Sequence, residues 1–212
     1  GGSADVLESV NTYDAQGRLL TQSVSLNGGT AATLTYSYDA LGRLIGKRYG
    51  STEESLTYNV RGWLTGKEST PFRMCLRYAT PEGGSGARWN GSLSEWEWQH
   101  GTNAAMMYGL TYDGLNRFTG AVQKQKNGNT WSALSGDYVE KGLTYDRNGN
   151  LLTLQRTAGG SVVDNLAYTY TGNQLTGLSE SVRTAPSNDI YAPGNAESGS
   201  YSYDANGNLQ ND

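Results

Sequence analysis

The chain has 212 residues, 36% of them hydrophobic, with 15 Tyr, 5 Trp, 29 Gly and a formal net charge of −4. That balance carries no basic stripe and excludes a duplex nucleic-acid binder. No apolar run approaches the ~20 residues that cross a bilayer as a helix, and a single cysteine, Cys75, excludes an internal disulfide. Glycine stands at about twice its usual share, yet the many aromatic rings offer large area per residue. The expectation is an ordered, thin, aromatic-rich sheet rather than a disordered chain.

Taken in chain order, one short pattern recurs. It reads YDAQGRL from Tyr13, YDALGRL from Tyr38, YNVRGWL from Tyr58, YDGLNRF from Tyr112, YDRNGNL from Tyr145, YTGNQL from Tyr170 and YDANGNL from Tyr203. An internal repeat means that each unit solves the same folding problem in the same way. The Asp opens a four-residue turn, where its carboxylate can accept from backbone N–H groups two residues on. Three residues later stands Gly17, Gly42, Gly62, Gly149 or Gly207, where a type I turn with a G1 bulge requires positive φ. Asn116 is the one full-length exception, and Asn tolerates that region. The shorter Tyr170 copy carries Gly172-Asn173, which suits a two-residue turn. Each unit is predicted to be a β-hairpin tip.

The approach to each turn agrees. Two residues before the tyrosine stands Tyr36, Leu56, Leu110, Leu143, Tyr168 or Tyr201, with Ser or Thr between, a period-two pattern broken only by Asn11. After the turn comes Leu19, Leu44, Leu64, Phe118, Leu151, Leu175 or Leu209, able to pack across the hairpin on the tyrosine. WNGSL, from Trp89 to Leu93, reads as a degenerate eighth unit. Starts near 13, 38, 58, 89, 112, 145, 170 and 203 give intervals of 20 to 33 residues, enough for two strands and two turns. Pro71, Pro81, Pro186 and Pro193 are expected in loops, and no stretch has convincing helical periodicity.

Tandem Y-D-x-x-G-[RN]-L units closely resemble the RHS/YD-repeat family, over roughly Val10 to Asp212. The stretch from Trp89 to Ala121 resembles the repeat region of large exported members from Bacteroidetes. The resemblance implies a curved or spiralling ribbon of antiparallel strands, which in large members closes into a shell around a C-terminal toxin or other variable domain. Other members act at cell surfaces in adhesion and carbohydrate binding. The family's autoproteolytic core with its DPxG-type sequence finds no counterpart here, so those roles are carried to no residue. YDANGNLQND stops just after a unit begins, which reads as a piece of a longer protein.

Candidate chemical residues are few. His100 is the one histidine, and it reads as a loop-entry residue rather than a triad base. Cys75 alternates with Arg73 and Arg77 and is expected to pack inward as a small hydrophobe. Glu95 and Glu97 would project from one strand face roughly 7 Å apart, an inverting-glycosidase spacing; alternation instead suggests that Trp96 and Trp98 are buried while both carboxylates face water. Asp146–Asn150 and Asp204–Asn208 look like the start of a calcium loop, but Thr157 stands where the twelfth-position Glu belongs. Trp89, Trp96, Trp98 and Trp131 could serve a sugar-stacking platform or the core. Asn90-Gly91-Ser92 fits a glycosylation sequon.

The expectation is an all-β chain, residues 1–212 forming a single region of about eight tandem hairpins. It is a non-enzymatic structural segment of an exported protein, extracellular or at the cell surface of a bacterium. It has no catalytic, cofactor-binding or metal site and uses no cofactor. Its partners are neighbouring repeats and a C-terminal domain of the same polypeptide, with no nucleic acid and no membrane insertion. Open sheet edges imply weak homodimers, and glycan binding or adhesion is the alternative function.

Overall fold

The computed structural model describes residues 5–134, 136, 138–182 and 198–211. Pro186 and Pro193 lie outside these. Among the described residues there are eighteen β-strands and no helix. Sixteen strands are hydrogen-bonded in antiparallel sheet in chain order, except that the short β11 pairs only with β10; β17 and β18 form a separate two-stranded sheet. The chain divides into two compact units, Gly1–Leu76 with Glu97–Ala105, and Arg77–Trp96 with Met106–Asp212.

The first unit is a run of hairpins built from β1 (Leu7–Tyr13), β2 (Leu19–Leu26), β3 (Ala32–Tyr38), β4 (Leu44–Tyr49), β5 (Thr52–Tyr58), β6 (Leu64–Ser69) and β7 (Phe72–Arg77), whose last residue falls in the second unit. The unit boundary also runs through β8 (Glu95–His100). The second unit holds β9 (Met106–Tyr112), β10 (Phe118–Asn127), β11 (Thr130–Ala133), β12 (Val139–Tyr145), β13 (Leu151–Ala158), β14 (Ser161–Thr171), β15 (Gln174–Glu180), β16 (Ser198–Ser200), β17 (Ser202–Tyr203) and β18 (Leu209–Asn211).

Every motif tyrosine in the seven clear copies pairs with its closing apolar residue: Tyr13 with Leu19, Tyr38 with Leu44, Tyr58 with Leu64, Tyr112 with Phe118, Tyr145 with Leu151, Tyr170 with Leu175 and Tyr203 with Leu209. In each the register shifts beside that pair, the mark of a bulge. The predicted positive φ is present at Gly17 (78°), Gly42 (80°), Gly62 (80°), Gly149 (90°) and Gly207 (84°), and at Asn116 (63°). Gly172 is also positive at 62° while Asn173 is not, so the short turn is of the type that needs positive φ only at its first central residue.

The serine or threonine before the tyrosine has a partner of its own. Ser37, Thr57, Thr111 and Thr169 lie opposite Gly46, Gly66, Gly120 and Gly177. A Cβ added at Gly46, Gly66 or Gly177 would sit 2.5 to 2.7 Å from the opposing hydroxyl oxygen, so the hydroxyl occupies space that the glycine leaves. In two other copies the partner is threonine, and Thr12–Thr21 and Thr144–Thr153 hydroxyls hydrogen-bond at 2.6 Å.

The sheet is thin, as expected. Ala105, Met107, Ala121 and Val163 are the buried apolar residues among those described, and of these only Met107 is fully buried. One unit departs from expectation. No strands flank Trp89; residues 78–94 form an irregular strap rather than a hairpin. Pro81 with Gly83, Gly84, Gly86 and Gly91 gives that stretch neither alternation nor strand propensity, and its backbone groups find partners outside a ladder. Leu93 nonetheless keeps the place of a closing leucine, as its carbonyl contact below shows.

Replacing Gly42 with Val is expected to lower stability by about 1 kcal/mol or more, because a β-branched residue is forced to positive φ. The added Cβ would meet Arg18 Nη1 at an ordinary 3.5 Å, so the cost comes from backbone conformation rather than crowding. Gly42→Asn should cost less, since Asn116 already occupies the equivalent position. Urea denaturation of both variants checks this; an unchanged midpoint for Gly42→Val would overturn the turn assignment.

Candidate functional site

The recurring turn is the most elaborated polar element of the chain. In the first unit Asp39 donates its N–H to the Arg43 carbonyl (2.9 Å) and accepts at its own carbonyl from Gly42 (3.0 Å). Its carboxylate takes the backbone N–H of Leu41 and Arg43, both at 2.9 Å, and the Arg43 Nε at 2.7 Å. Asp14 with Arg18 and Asp113 with Arg117 repeat the arrangement; in Asp146 with Asn150 and Asp204 with Asn208 an amide replaces the guanidinium. Backbone donation from Arg43 and Arg117 holds the Asp39 and Asp113 carboxyls below the ordinary value of 3.8. The side-chain amides of Asn150 and Asn208 do so at Asp146 and Asp204.

The arginine does not stop at its own turn. Arg18 lies over the Tyr38 ring at 4.8 Å and Arg43 over Tyr58 at 5.0 Å; in the second unit Arg88 lies over Tyr112 at 4.3 Å and Arg117 over Tyr145 at 4.8 Å. Such cation–π contacts contribute about 0.5–1 kcal/mol when exposed. Arg43 Nη1 also donates to the Asn59 carbonyl, and Arg117 Nη1 to the Asp146 carbonyl. Tyrosine hydroxyls reach back the other way: Tyr38 to the Leu19 carbonyl (2.9 Å), Tyr58 to Leu44 (2.8 Å), Tyr112 to Leu93 (2.8 Å) and Tyr145 to Phe118. Burial pushes the Tyr112 and Tyr145 hydroxyls up, so they remain protonated donors. These stitches between successive hairpins were missed by sequence reasoning. Their signal was the Arg or Asn recurring just before the closing apolar residue.

β8 reverses its expected orientation. Glu95 and Glu97 are buried, at 0% and 2% exposure, whereas Trp96 is 42% exposed and Trp98 half-buried. In the second unit the Glu95 carboxylate accepts from the backbone N–H of Glu82 (2.7 Å), Gly83 (2.8 Å) and Ser85 (3.2 Å). In the first unit Glu97 pairs with Arg73 Nη2 at 2.9 Å. The strand alternates as predicted, but hydrogen-bonded carboxylates claim the inner face. Both carboxylates are thus engaged by structural donors, Glu95 at both of its oxygens.

The remaining candidates stay apart. His100 ends β8, exposed, and Cys75 is half-buried within β7. Trp89 is 65% exposed and lines a shallow pocket of about 390 Å³ with Ala87, Arg88, Asn90 and Asn116. Trp131 is half-buried and takes Lys126 over its ring at 5.4 Å. Asn90 Oδ1 accepts from the Ser92 N–H at 3.1 Å. Asp146 and Asp204 are occupied by their own turns, and no cluster of metal-ligating side chains is found among the described residues.

The RHS Repeat family model matches residues 13–54, the first two hairpin turns. The fold is similar to a stretch of a crystal structure of TcdB2-TccC3, at 19% identity and a TM-score of 0.61, over 93% of this chain and 11% of that one. It is also similar to part of a Photorhabdus luminescens Tc holotoxin pore, at 15% identity and a TM-score of 0.53, over 97% of this chain and 12% of that one. Residues 13–54 are thus similar to RHS repeat sequence. The chain spans about a tenth of the length of these structures, and at such identities the likeness is one of fold. No curated protein sequence matches it. Within each unit the turn ladder described above links successive turns.

The depressed carboxyls fix a pH dependence. A carboxyl whose folded pKa lies below its unfolded value adds stability that is complete above about pH 4 and is lost as pH falls through the folded pKa. The denaturation midpoint is therefore expected to drop on acidification below pH 4, and Asp39→Asn should flatten part of that drop while lowering stability at neutral pH. Urea midpoints across this range check it; an Asp39→Asn profile parallel to the parent's would remove the turn carboxylate as the cause.

Proposed function

We propose that this chain is a non-enzymatic wall segment of an exported RHS/YD-repeat protein, part of a β-shell or surface scaffold that encloses or presents a C-terminal domain. The observation carrying this reading is the turn ladder. Arg18, Arg43, Arg117 and Asn150 and the hydroxyls of Tyr38, Tyr58, Tyr112 and Tyr145 are committed to a neighbouring repeat, which links individually marginal hairpins to one another. A similar fold embedded in far longer toxin-complex chains supports the same reading. Neighbouring repeats and the C-terminal domain are then the partners, and the wall faces the extracellular space. Limited proteolysis of the longest natural polypeptide carrying these repeats, followed by mass spectrometry, tests it. Resistant repeats together with a protected C-terminal fragment are expected. Loss of that fragment while the repeats survive would overturn enclosure and leave an open scaffold.

A second reading, a glycan-binding surface, is favoured by one observation. The exposed Trp89 ring stands beside Asn90 and Asn116, an aromatic face with amide groups at its rim. Binding on a glycan array that Trp89→Ala abolishes is the expected result; an array at background for the parent chain would remove this reading.

A further inference from the structure

The Glu95 site is built like a receptor. Glu95 Oε2 takes the Glu82 N–H, while Oε1 takes those of Gly83 and Ser85. Converging backbone N–H groups of this kind form an anion-binding concavity, and Gly84, at φ 86°, provides the positive-φ residue that curls the loop. Gly83 is required by space: a Cβ there would lie 2.5 Å from Met107 Sδ and 3.0 Å from Glu95 Oε1. A carboxylate at 0% exposure is stable only when its charge is met by such donors.

The same loop is the middle of the strap, 78–94, which is also fastened by the Glu82–Arg77 ion pair at 2.9 Å, by Arg88 on Asn116 and the Tyr112 ring, and by the Tyr112 hydroxyl on the Leu93 carbonyl. Lys124 Nζ on β10 donates to the Gly83 carbonyl. Ser94 Oγ donates to the Gly86 carbonyl at 2.7 Å, Arg88 N–H to the Tyr78 carbonyl at 2.9 Å, and Leu110 N–H on β9 to the Ser94 carbonyl at 3.0 Å. Beneath lies Met107, fully buried, on a sheet that otherwise buries few apolar side chains.

We propose that the loop from Glu82 to Ser85 is a carboxylate receptor whose resident ligand is the Glu95 side chain, and that this contact is the latch holding that loop over Met107. The loop then opens locally when the carboxylate is withdrawn, uncovering Met107 while the ladder of β9 and β10 stays formed. The two-oxygen geometry selects a carboxylate over a spherical anion, because the three donors divide between two acceptor atoms. This latch is independent of whether the wall closes around a second domain.

Chemical rescue tests it in the full chain. Glu95→Ala removes Cγ and the carboxyl group, the atoms that acetate supplies. Amide hydrogen exchange of Glu82, Gly83 and Ser85 is expected to quicken roughly tenfold or more in the variant, with exchange in β9 and β10 unchanged, and saturating acetate should restore it where chloride at equal ionic strength does not. Unchanged exchange at the three amides, or equal effects of acetate and chloride, would overturn the receptor. Loss of protection throughout β9 and β10 would overturn the local latch. If Glu95→Ala does not fold, Glu95→Gln decides: the amide keeps one acceptor oxygen, so faster exchange confined to those amides is expected, and parent-like exchange there overturns the proposal.

Discussion

Register is the constraint on which this structure depends. A strand that slips by one residue exchanges its two faces, and this sheet has too little buried apolar surface to correct such a slip. The turn therefore sets register locally. Gly17, Gly42, Gly62, Asn116, Gly149 and Gly207 all adopt positive φ, and each turn is closed by the same pair of backbone bonds, from the residue after the tyrosine to the carbonyl four residues on and back from the positive-φ residue. A bulge follows beside the tyrosine, so tyrosine and closing apolar residue become partners at every turn. The hydroxyl of the preceding Ser or Thr then meets a glycine or a threonine on the other face, a second reading of the same register.

Cohesion between hairpins is a separate problem, since an isolated hairpin is marginal in water. Full burial of a leucine or tyrosine would contribute about 1.5–3 kcal/mol, but most of these side chains are only half-buried. The deficit is offset by contacts that pass from one turn to the next: guanidinium over ring, guanidinium to carbonyl, phenol to carbonyl. A ladder of this kind makes stability a sum over nearest neighbours. It also tolerates unequal intervals, because only the turns and their flanking residues have to coincide while the far loops vary in length.

Much of this was legible in the residues themselves. Asn116 replacing glycine identified a positive-φ position, and the Ser or Thr between two apolar residues gave the faces. What the sequence withheld was anything that depends on a neighbour 20 to 33 residues away. The Arg before the closing leucine could be seen to recur, but its target, the next tyrosine, is set by the sheet. β8 shows the same limit more sharply. Alternation in EWEW separates two faces without saying which is inside, and hydrophobicity assigned them backwards. Backbone donors from Glu82, Gly83 and Ser85, together with Arg73, make the carboxylate side the buried one.

The strap explains why one unit could lose its hairpin without breaking the array. Two things a hairpin supplies to its successor, a carbonyl for the tyrosine hydroxyl and a guanidinium over its ring, are still present there, with one further contact. Leu93 offers the carbonyl that Tyr112 bonds, Arg88 covers the Tyr112 ring, and Arg88 reaches Asn116, the positive-φ residue of the next turn, at 2.6 Å. The ladder therefore depends on where these groups are placed, not on the strands that usually place them. Freed from pairing, the segment between Tyr78 and Ser94 can follow any path that satisfies its backbone, and the buried carboxylate of Glu95 supplies what the missing strands no longer do. Among the described residues this irregular stretch thus coincides with a carboxylate at 0% exposure, because a loop without a ladder needs a charged acceptor to satisfy converging N–H groups away from water.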